Sequence, residues 1–193
     1  MPTEAEKTVV DREGLLVELV NPDGIAVGAC TVAEAHAEPG LRHRAFSVLL
    51  YDRAGRVLLQ RRAEAKTRFP GRWSNTCCGH PSPNEPVVRA AATRLSEELG
   101  VTAPLTEIGV YCYRAHDPDS EYVEHEWDHV LVGLLEATPS PDPAEVAEWA
   151  WAETRLLRQS LRSDPGYYTP WLRGVLDLAI TCRELPTPHA RRP

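Results

Sequence analysis

The sequence predicts an α+β fold, a mixed β-sheet flanked by helices in a single compact domain. Three observations predict it. Apolar runs with strand character stand before and after one amphipathic helix instead of alternating with helices. Turn signals rich in Gly, Pro, Asn and Asp separate those runs. Two further helical patterns close the chain. A length of 193 residues suits one domain with a real core.

The first elements are a strand, turn and strand, with apolar runs at 14–20 and 24–28 around Asn21-Pro-Asp-Gly24. A second hairpin is expected from 44–51 and 56–62, joined by Asp52-Arg-Ala-Gly55. Residues 63–81 read as a long irregular loop, because Pro70-Gly71, Cys78-Gly79 and His80-Pro81 punctuate them. A helix follows. Ser82 with Glu85 resembles a capping box, Pro83 suits a first helical position, and Val87, Val88, Ala91, Leu95 and Leu99 form an apolar stripe ended by Gly100. Strands are expected at 108–115 and 122–136, then a Pro-rich connector at 139–143 and a short strand at 149–151. Helices near 153–161 and 171–183 complete the order. Residues 1–12 and 186–193 read as flexible ends around a domain at 13–185.

Composition narrows the function. The net charge of −7 argues against nucleic acid as a partner. No run of eighteen apolar residues is present, so no membrane partner is expected. The polar start lacks a secretory signal core, which predicts a cytoplasmic protein. The five cysteines, with no C-x-x-C pair, then read as free thiols in a reducing compartment.

Chemistry-bearing residues gather in a few segments. His36 and His43 flank an Ala-Glu-Pro-Gly turn, and His80 sits in the Cys-Gly-His-Pro loop. Glu124 and Glu126, two apart in an expected strand, point to one face. Side-by-side carboxylates repel unless a cation or a shared proton offsets the charge. Three imidazoles and two carboxylates suit a divalent transition metal in roughly octahedral geometry, and zinc with fewer ligands also fits. Taken one at a time these residues have plainer readings: most lone histidines are structural and most acidic strand pairs are solvated. His125 and His129 are read as structural. Cys77 is read as packing, and Trp73, Trp127, Trp149 and Trp151 as core or rim.

The stretch from Gly79 through Glu85 to Thr93-Arg-Leu-Ser-Glu-Glu-Leu-Gly100-Val101 resembles the Nudix box, in which helix glutamates hold divalent metal against a diphosphate. Thr93-Arg94 departs from the box, which has Arg-Glu there, so one metal-binding glutamate is missing while Glu98 remains. Further segments, in order, are Leu41-Arg-His-Arg-Ala-Phe46, Gln60-Arg-Arg-Ala-Glu-Ala-Lys66, Asn75-Thr-Cys-Cys-Gly-His-Pro81, Tyr111-Cys-Tyr-Arg-Ala115, Glu124-His-Glu126 and Thr169-Pro-Trp171. Together they resemble a type 1 isopentenyl-diphosphate Δ-isomerase, over about residues 14–183.

That resemblance implies a Nudix-like fold and interconversion of isopentenyl and dimethylallyl diphosphate. It implies Cys78 as a catalytic acid/base, Glu126 acting from the other side of the substrate, and Tyr113 supporting Glu126. It implies one divalent metal, Mn²⁺ or Zn²⁺, on His36, His43, His80, Glu124 and Glu126. Mg²⁺ would sit on Glu98 and the backbone carbonyl of Cys78. Arg62, Lys66 and Arg94 would contact the diphosphate, and Trp171 would close over the hydrocarbon end. The family usually carries Lys four residues before the first of these histidines, where this chain has Val32: either another cation substitutes, Arg42 or Arg68, or substrate affinity is lower or substrate preference shifted. The expected partner is a small prenyl diphosphate, with the protein a monomer or weak homodimer. The alternative activity is Nudix-type hydrolysis of a diphosphate, which gives no reason for Cys78, the three histidines and the Glu124/Glu126 pair to occur together.

Overall fold

Strand β3, His43–Tyr51, is buried at every position except Arg44, as expected of a central strand covered on both faces. The computed structural model describes residues 12–182. The expected flexible ends, apart from Arg12, lie outside the described residues. Among those residues nine strands form one mixed sheet. β8, Val123–Leu134, runs parallel to β3 along one edge, pairing His43 with Glu126 and Tyr51 with Leu134. Along the other edge of β3 lie three strands in turn. β1, Leu16–Val20, pairs at His43, β6, Cys77–Gly79, pairs at Phe46, Ser47 and Val48, and β4, Arg56–Arg62, pairs at Tyr51.

The remaining strands extend the sheet outward. β2, Ala26–Thr31, pairs with β1. β5, Trp73–Ser74, and β9, Val146–Glu153, pair with β4, and β7, Leu105–His116, pairs with β8. The expected second hairpin therefore forms only at its turn: β3 and β4 touch at Tyr51 and Val57 and then diverge to other partners. Their divergence leaves room for β6 between them, inside the stretch expected to be an irregular loop. β5 and β6 are short strands set into that stretch, and they satisfy its buried backbone.

Alternation along β3 divides the core in two. Phe46, Val48 and Leu50 pack under helix α2, Val87–Leu99, with its Ala91, Leu95 and Leu99. Leu49 and Tyr51 face the other way, against helices α3, Thr154–Ser163, and α4, Leu172–Cys182, where Leu161, Leu172, Val175 and Leu176 meet them. Helix α2 ends as expected, with Gly100 in the left-handed region. Its start differs. Asn84 has φ +64°, which breaks the helical run, so Ser82 and Glu85 close a turn and α2 begins after Pro86 with no side-chain cap. The full capping box forms elsewhere. The Glu34 amide donates to Thr31 Oγ1 at 3.2 Å and the Thr31 amide donates to Glu34 Oε2 at 2.8 Å, which starts a one-turn helix α1, Val32–His36, absent from the sequence expectation.

Val88 was placed in the apolar stripe but is 42% exposed, while Ala90 takes the buried position beside Val87. No described helix is long and apolar enough to cross a membrane. The packing on α2 predicts a contrast. Leu95→Ala, at a fully buried position, lowers unfolding free energy by about 2–5 kcal/mol. Val88→Ala changes it by no more than about 0.5 kcal/mol. Urea denaturation of the two variants checks this, and equal losses would contradict the burial assigned to each.

Candidate active site

One face of the sheet carries the chemistry, and strand register puts it there. Ser47 on β3 stands opposite Cys78 on β6, and His43 stands opposite Glu126 on β8. On β8 the alternate positions Glu124, Glu126 and Asp128 share that face. On β7, Tyr113 stands opposite Glu126 and Tyr111 opposite Asp128. The face opens into a cavity of about 410 Å³, within the usual range for a small-molecule site. Every site residue expected from the sequence lines that cavity except His36 and His43, which lie buried behind Glu124 and Glu126.

The first cluster holds three imidazoles and two carboxylates whose ligand atoms all lie within 4.8 Å of one another. Its donors are oriented from behind. The Nδ1–H of His36 donates to the Val32 carbonyl at 2.7 Å, and that of His43 to the Leu41 carbonyl at 2.8 Å. These contacts leave each Nε2 with its lone pair facing inward. His36 Nε2 is 2.9 Å from Glu124, and His80 Nε2 is 3.1 Å from Glu126. His43 Nε2 is buried without a hydrogen-bond partner, 3.8 Å from Glu126. An orphaned, inward-facing imidazole nitrogen in a ring of N and O donors fits a divalent cation.

The electrostatics agree. Burial, then the neighbouring His36, pulls His43 down to about 3. Burial, then His43, pulls His80 well below its ordinary value. Both imidazoles are therefore neutral, as metal ligands must be. Burial works against the charge of Glu124, but His36 and Arg68 override it and hold that carboxyl well below the usual range. Burial, then Glu124 and Asp128, pushes Glu126 well above it. The two carboxyls are driven apart because each disfavours charge on the other.

Thiol and carboxylate open into the same space. The thiol of Cys78 donates to Asn75 Oδ1 at 3.0 Å, with Ser47 Oγ at 3.7 Å. Burial, then Asp128, pushes this thiol up to about 12. The Tyr113 hydroxyl donates to Glu126 Oε2 at 2.7 Å. Trp171 covers the pair, its ring centroid 5.8 Å from that of Tyr113 and 5.3 Å from that of Phe69. Thr169 fixes the approach of this segment: its amide donates to the Trp73 carbonyl at 2.9 Å and its hydroxyl to Ser74 Oγ at 3.1 Å.

The other end of the cavity is charged. Glu98, buried on α2, receives Lys66 at 3.1 Å, Gln60 at 3.0 Å and a short contact from Arg94. Burial alone would raise the Glu98 carboxyl, but Lys66 and Arg94 override it and hold it at about 2. Lys66 and Arg94 also share Glu145. Gly79 lets the β6 backbone approach here, since a Cβ on it would lie 2.8 Å from the Phe46 ring and 3.4 Å from Arg94 Cγ.

Arg62 lines the cavity but is partly committed, donating to the carbonyls of Arg68 at 2.8 Å and Phe69 at 3.2 Å, with its guanidinium 5.8 Å from the Trp171 ring. Arg68 lines the cavity beside Val32, whereas Arg42 is held by His125 at 3.2 Å and stands outside it. His125 also bonds the Gly40 carbonyl, His129 bonds Glu107, and Cys77 is buried in the α2 core, all consistent with structural parts.

Several residues of the site were not anticipated from the sequence. Asp128 continues the period-two series of Glu124 and Glu126, and that alternation was the available signal. Burial pushes Asp128 up to about 8, and it accepts from Ser47 Oγ at 2.8 Å. Glu145 follows the Pro-rich connector with no local motif to mark it. Asn75 opens the Asn-Thr-Cys-Cys-Gly-His-Pro segment, where nothing in the local sequence assigns it a role.

Known proteins place the chain. The NUDIX domain profile matches residues 41–172. An isopentenyl-diphosphate Delta-isomerase of Nocardia farcinica is 64% identical over 163 residues, covering 84% of this chain and 93% of the relative. The protein of that name from Streptomyces griseus is 46% identical over 180 residues, covering 92% and 90%. In fold the chain is similar to a crystal structure from Deinococcus radiodurans, with TM-score 0.68 at 18% identity, covering 84% of this chain and 97% of that one. A MutT protein from Methanosarcina mazei matches with TM-score 0.60 at 18% identity, covering 74% and 96%. On sequence and fold together, the chain belongs to the isopentenyl-diphosphate Delta-isomerase family, built on the NUDIX domain.

Proposed function

We propose that this enzyme interconverts isopentenyl and dimethylallyl diphosphate by adding a proton at one carbon and removing one from another, through a tertiary carbocation. The observation that carries the reading is the placement of the Cys78 thiol and the Tyr113–Glu126 pair around one cavity roofed by Trp171. The reaction needs a proton donor, a proton acceptor across the substrate, and no water near the cation. Microscopic reversibility makes the two groups exchange roles between the forward and reverse directions. Trp171 offers an aromatic face to the cation, and the packed rings around it exclude water.

The charged end serves as the anchor. Arg62, Lys66 and Arg94 take the diphosphate, with Arg68 added in place of a lysine at position 32. Holding the anion there fixes the uncharged reacting end against the thiol and carboxyl, so binding energy is used for positioning. When bound, Mn²⁺ or Zn²⁺ at the His/Glu cluster offsets the paired carboxylates and lowers the proton affinity of Glu126, and Mg²⁺ at Glu98 and the Cys78 carbonyl neutralises diphosphate charge. Hydrolysis is the poorer reading. Position 94 supplies a cation, Arg94, where the hydrolase box has a carboxylate. The five cysteines, all unpaired, suit a reducing cytoplasm, and the substrate needs neither nucleic acid nor membrane. We assign a monomer or weak homodimer.

Two outcomes test this reading. Cys78→Ala and Glu126→Gln each lower the rate of double-bond migration by about 10²–10⁴-fold while the protein stays folded. Proton NMR of isopentenyl diphosphate turnover, following the new methyl signals, measures it, and near-normal conversion by either variant refutes the assigned role. Exhaustive chelation abolishes turnover, and Mg²⁺ together with Mn²⁺ or Zn²⁺ restores it. Undiminished turnover by metal-free protein would refute the metal assignments.

A further inference from the structure

Asn75 opens the Asn-Thr-Cys-Cys-Gly-His-Pro segment and has no part in the chemistry described above. It is 0% exposed. Its side-chain nitrogen donates to the backbone carbonyls of Val48 at 3.2 Å and Cys77 at 2.8 Å. Both partners are acceptors only, so they determine which end of the carboxamide is nitrogen and which is oxygen. The oxygen then faces three donors. Ser74 Oγ lies at 3.0 Å, the Cys78 thiol at 3.0 Å and the Trp171 indole Nε1 at 2.9 Å. A single acceptor, ninety-six residues from Trp171 in the chain, thus ties the thiol of one strand to the aromatic roof.

We propose that Asn75 is a positioning residue that sets the Cys78 sulfur and the Trp171 ring in fixed relation to each other at the bound five-carbon fragment. The inference rests on the isomerase reading of this site. A thiol needs only rotation about its Cβ–Sγ bond to turn its hydrogen from Asn75 into the cavity. When it does so, Ser74 and Trp171 still satisfy the Asn75 oxygen, so release of the thiol leaves no buried acceptor unpaired. The diphosphate groups Lys66, Arg94 and Glu98 make no contact with Asn75. Loss of its oxygen therefore disturbs the reacting end and leaves the anchoring end in place.

The test compares Asn75→Leu, near in shape but without polar atoms, with Asn75→Asp, which keeps an acceptor oxygen and loses the donors to Val48 and Cys77. Both are assayed as metal-loaded enzyme beside wild type, with kcat and KM from NMR turnover, thermal unfolding, and the ¹⁵N-indole resonance of Trp171. The expected result for Asn75→Leu is a fall in kcat of about 100-fold or more, with KM within about threefold and the Trp171 indole resonance displaced. The expected Asn75→Asp unfolds at lower temperature yet keeps kcat within about tenfold of wild type. A purely structural role would instead move KM with kcat and lower activity in step with thermal stability in both variants.

The proposal is overturned if Asn75→Leu keeps kcat within about threefold, or if its loss lies in KM. Should Asn75→Leu fail to fold, Asn75→Asp decides alone: kcat within about tenfold supports the proposal and a larger loss overturns it. Wild type that fails to turn over isopentenyl diphosphate would defeat the isomerase reading itself. Active wild type with an equally active Asn75→Leu would defeat only the part given to Asn75.

Discussion

The parallel pairing of β3 with β8 is the constraint on which the site depends. It runs the whole length of β3, from His43 opposite Glu126 to Tyr51 opposite Leu134. Side chains alternate along a strand, so a slip of one residue would send Glu124, Glu126 and Asp128 to the α2 face and bring His125, Trp127 and His129 to the site in their place. Apolar packing guards this register. Val130 and Val132 on the same alternation belong to the core under α4, while Leu131 belongs to the core under α2. The hydrophobic effect thus holds three acidic side chains in place that would repel one another if left to themselves.

The cavity is polarised by what surrounds each end. At one end Lys66 and Arg94 override burial and keep Glu98 ionised. At the other, burial pushes Cys78 and Glu126 above their ordinary values. A substrate with a charged head and an apolar tail has only one favourable orientation in such a field. In the proposed reaction its reacting carbons would then lie by Cys78 and Glu126. The His/Glu cluster sits directly behind Glu126, where a bound cation would bear on the proton affinity of that carboxyl without occupying the space a hydrocarbon needs.

Much of this was legible in the sequence, for reasons that differ by element. β3, β8 and α2 carry strong periodic patterns, so their existence and type could be read directly, and Gly100 marked the end of α2. Glu124 and Glu126 could be placed on one face from period two alone. What brings His36, His43 and His80 together is non-local pairing of β3 with β6 and β8, which no local pattern encodes; the family resemblance carried that step. The start of α2 was misread because Ser82 and Glu85 have the right spacing for a capping box, but Asn84 adopts a left-handed conformation between them. The box at Thr31 and Glu34 went unread because a one-turn helix has too little periodicity to show. Asn75, Asp128 and Glu145 act through partners distant in sequence, so nothing beside them in the chain marked their importance.

The central claim is that a thiol and a carboxyl borne by separate strands work on opposite sides of one bound hydrocarbon. A crystal structure of metal-loaded enzyme with dimethylallyl diphosphate tests it most directly. The expected complex has the diphosphate among Lys66, Arg94 and Glu98, the five-carbon chain beneath Trp171, and Cys78 Sγ and the Glu126 carboxyl in contact with opposite faces of that chain. A hydrocarbon that touches only one of the two groups, or a diphosphate seated on the histidine cluster, would contradict it.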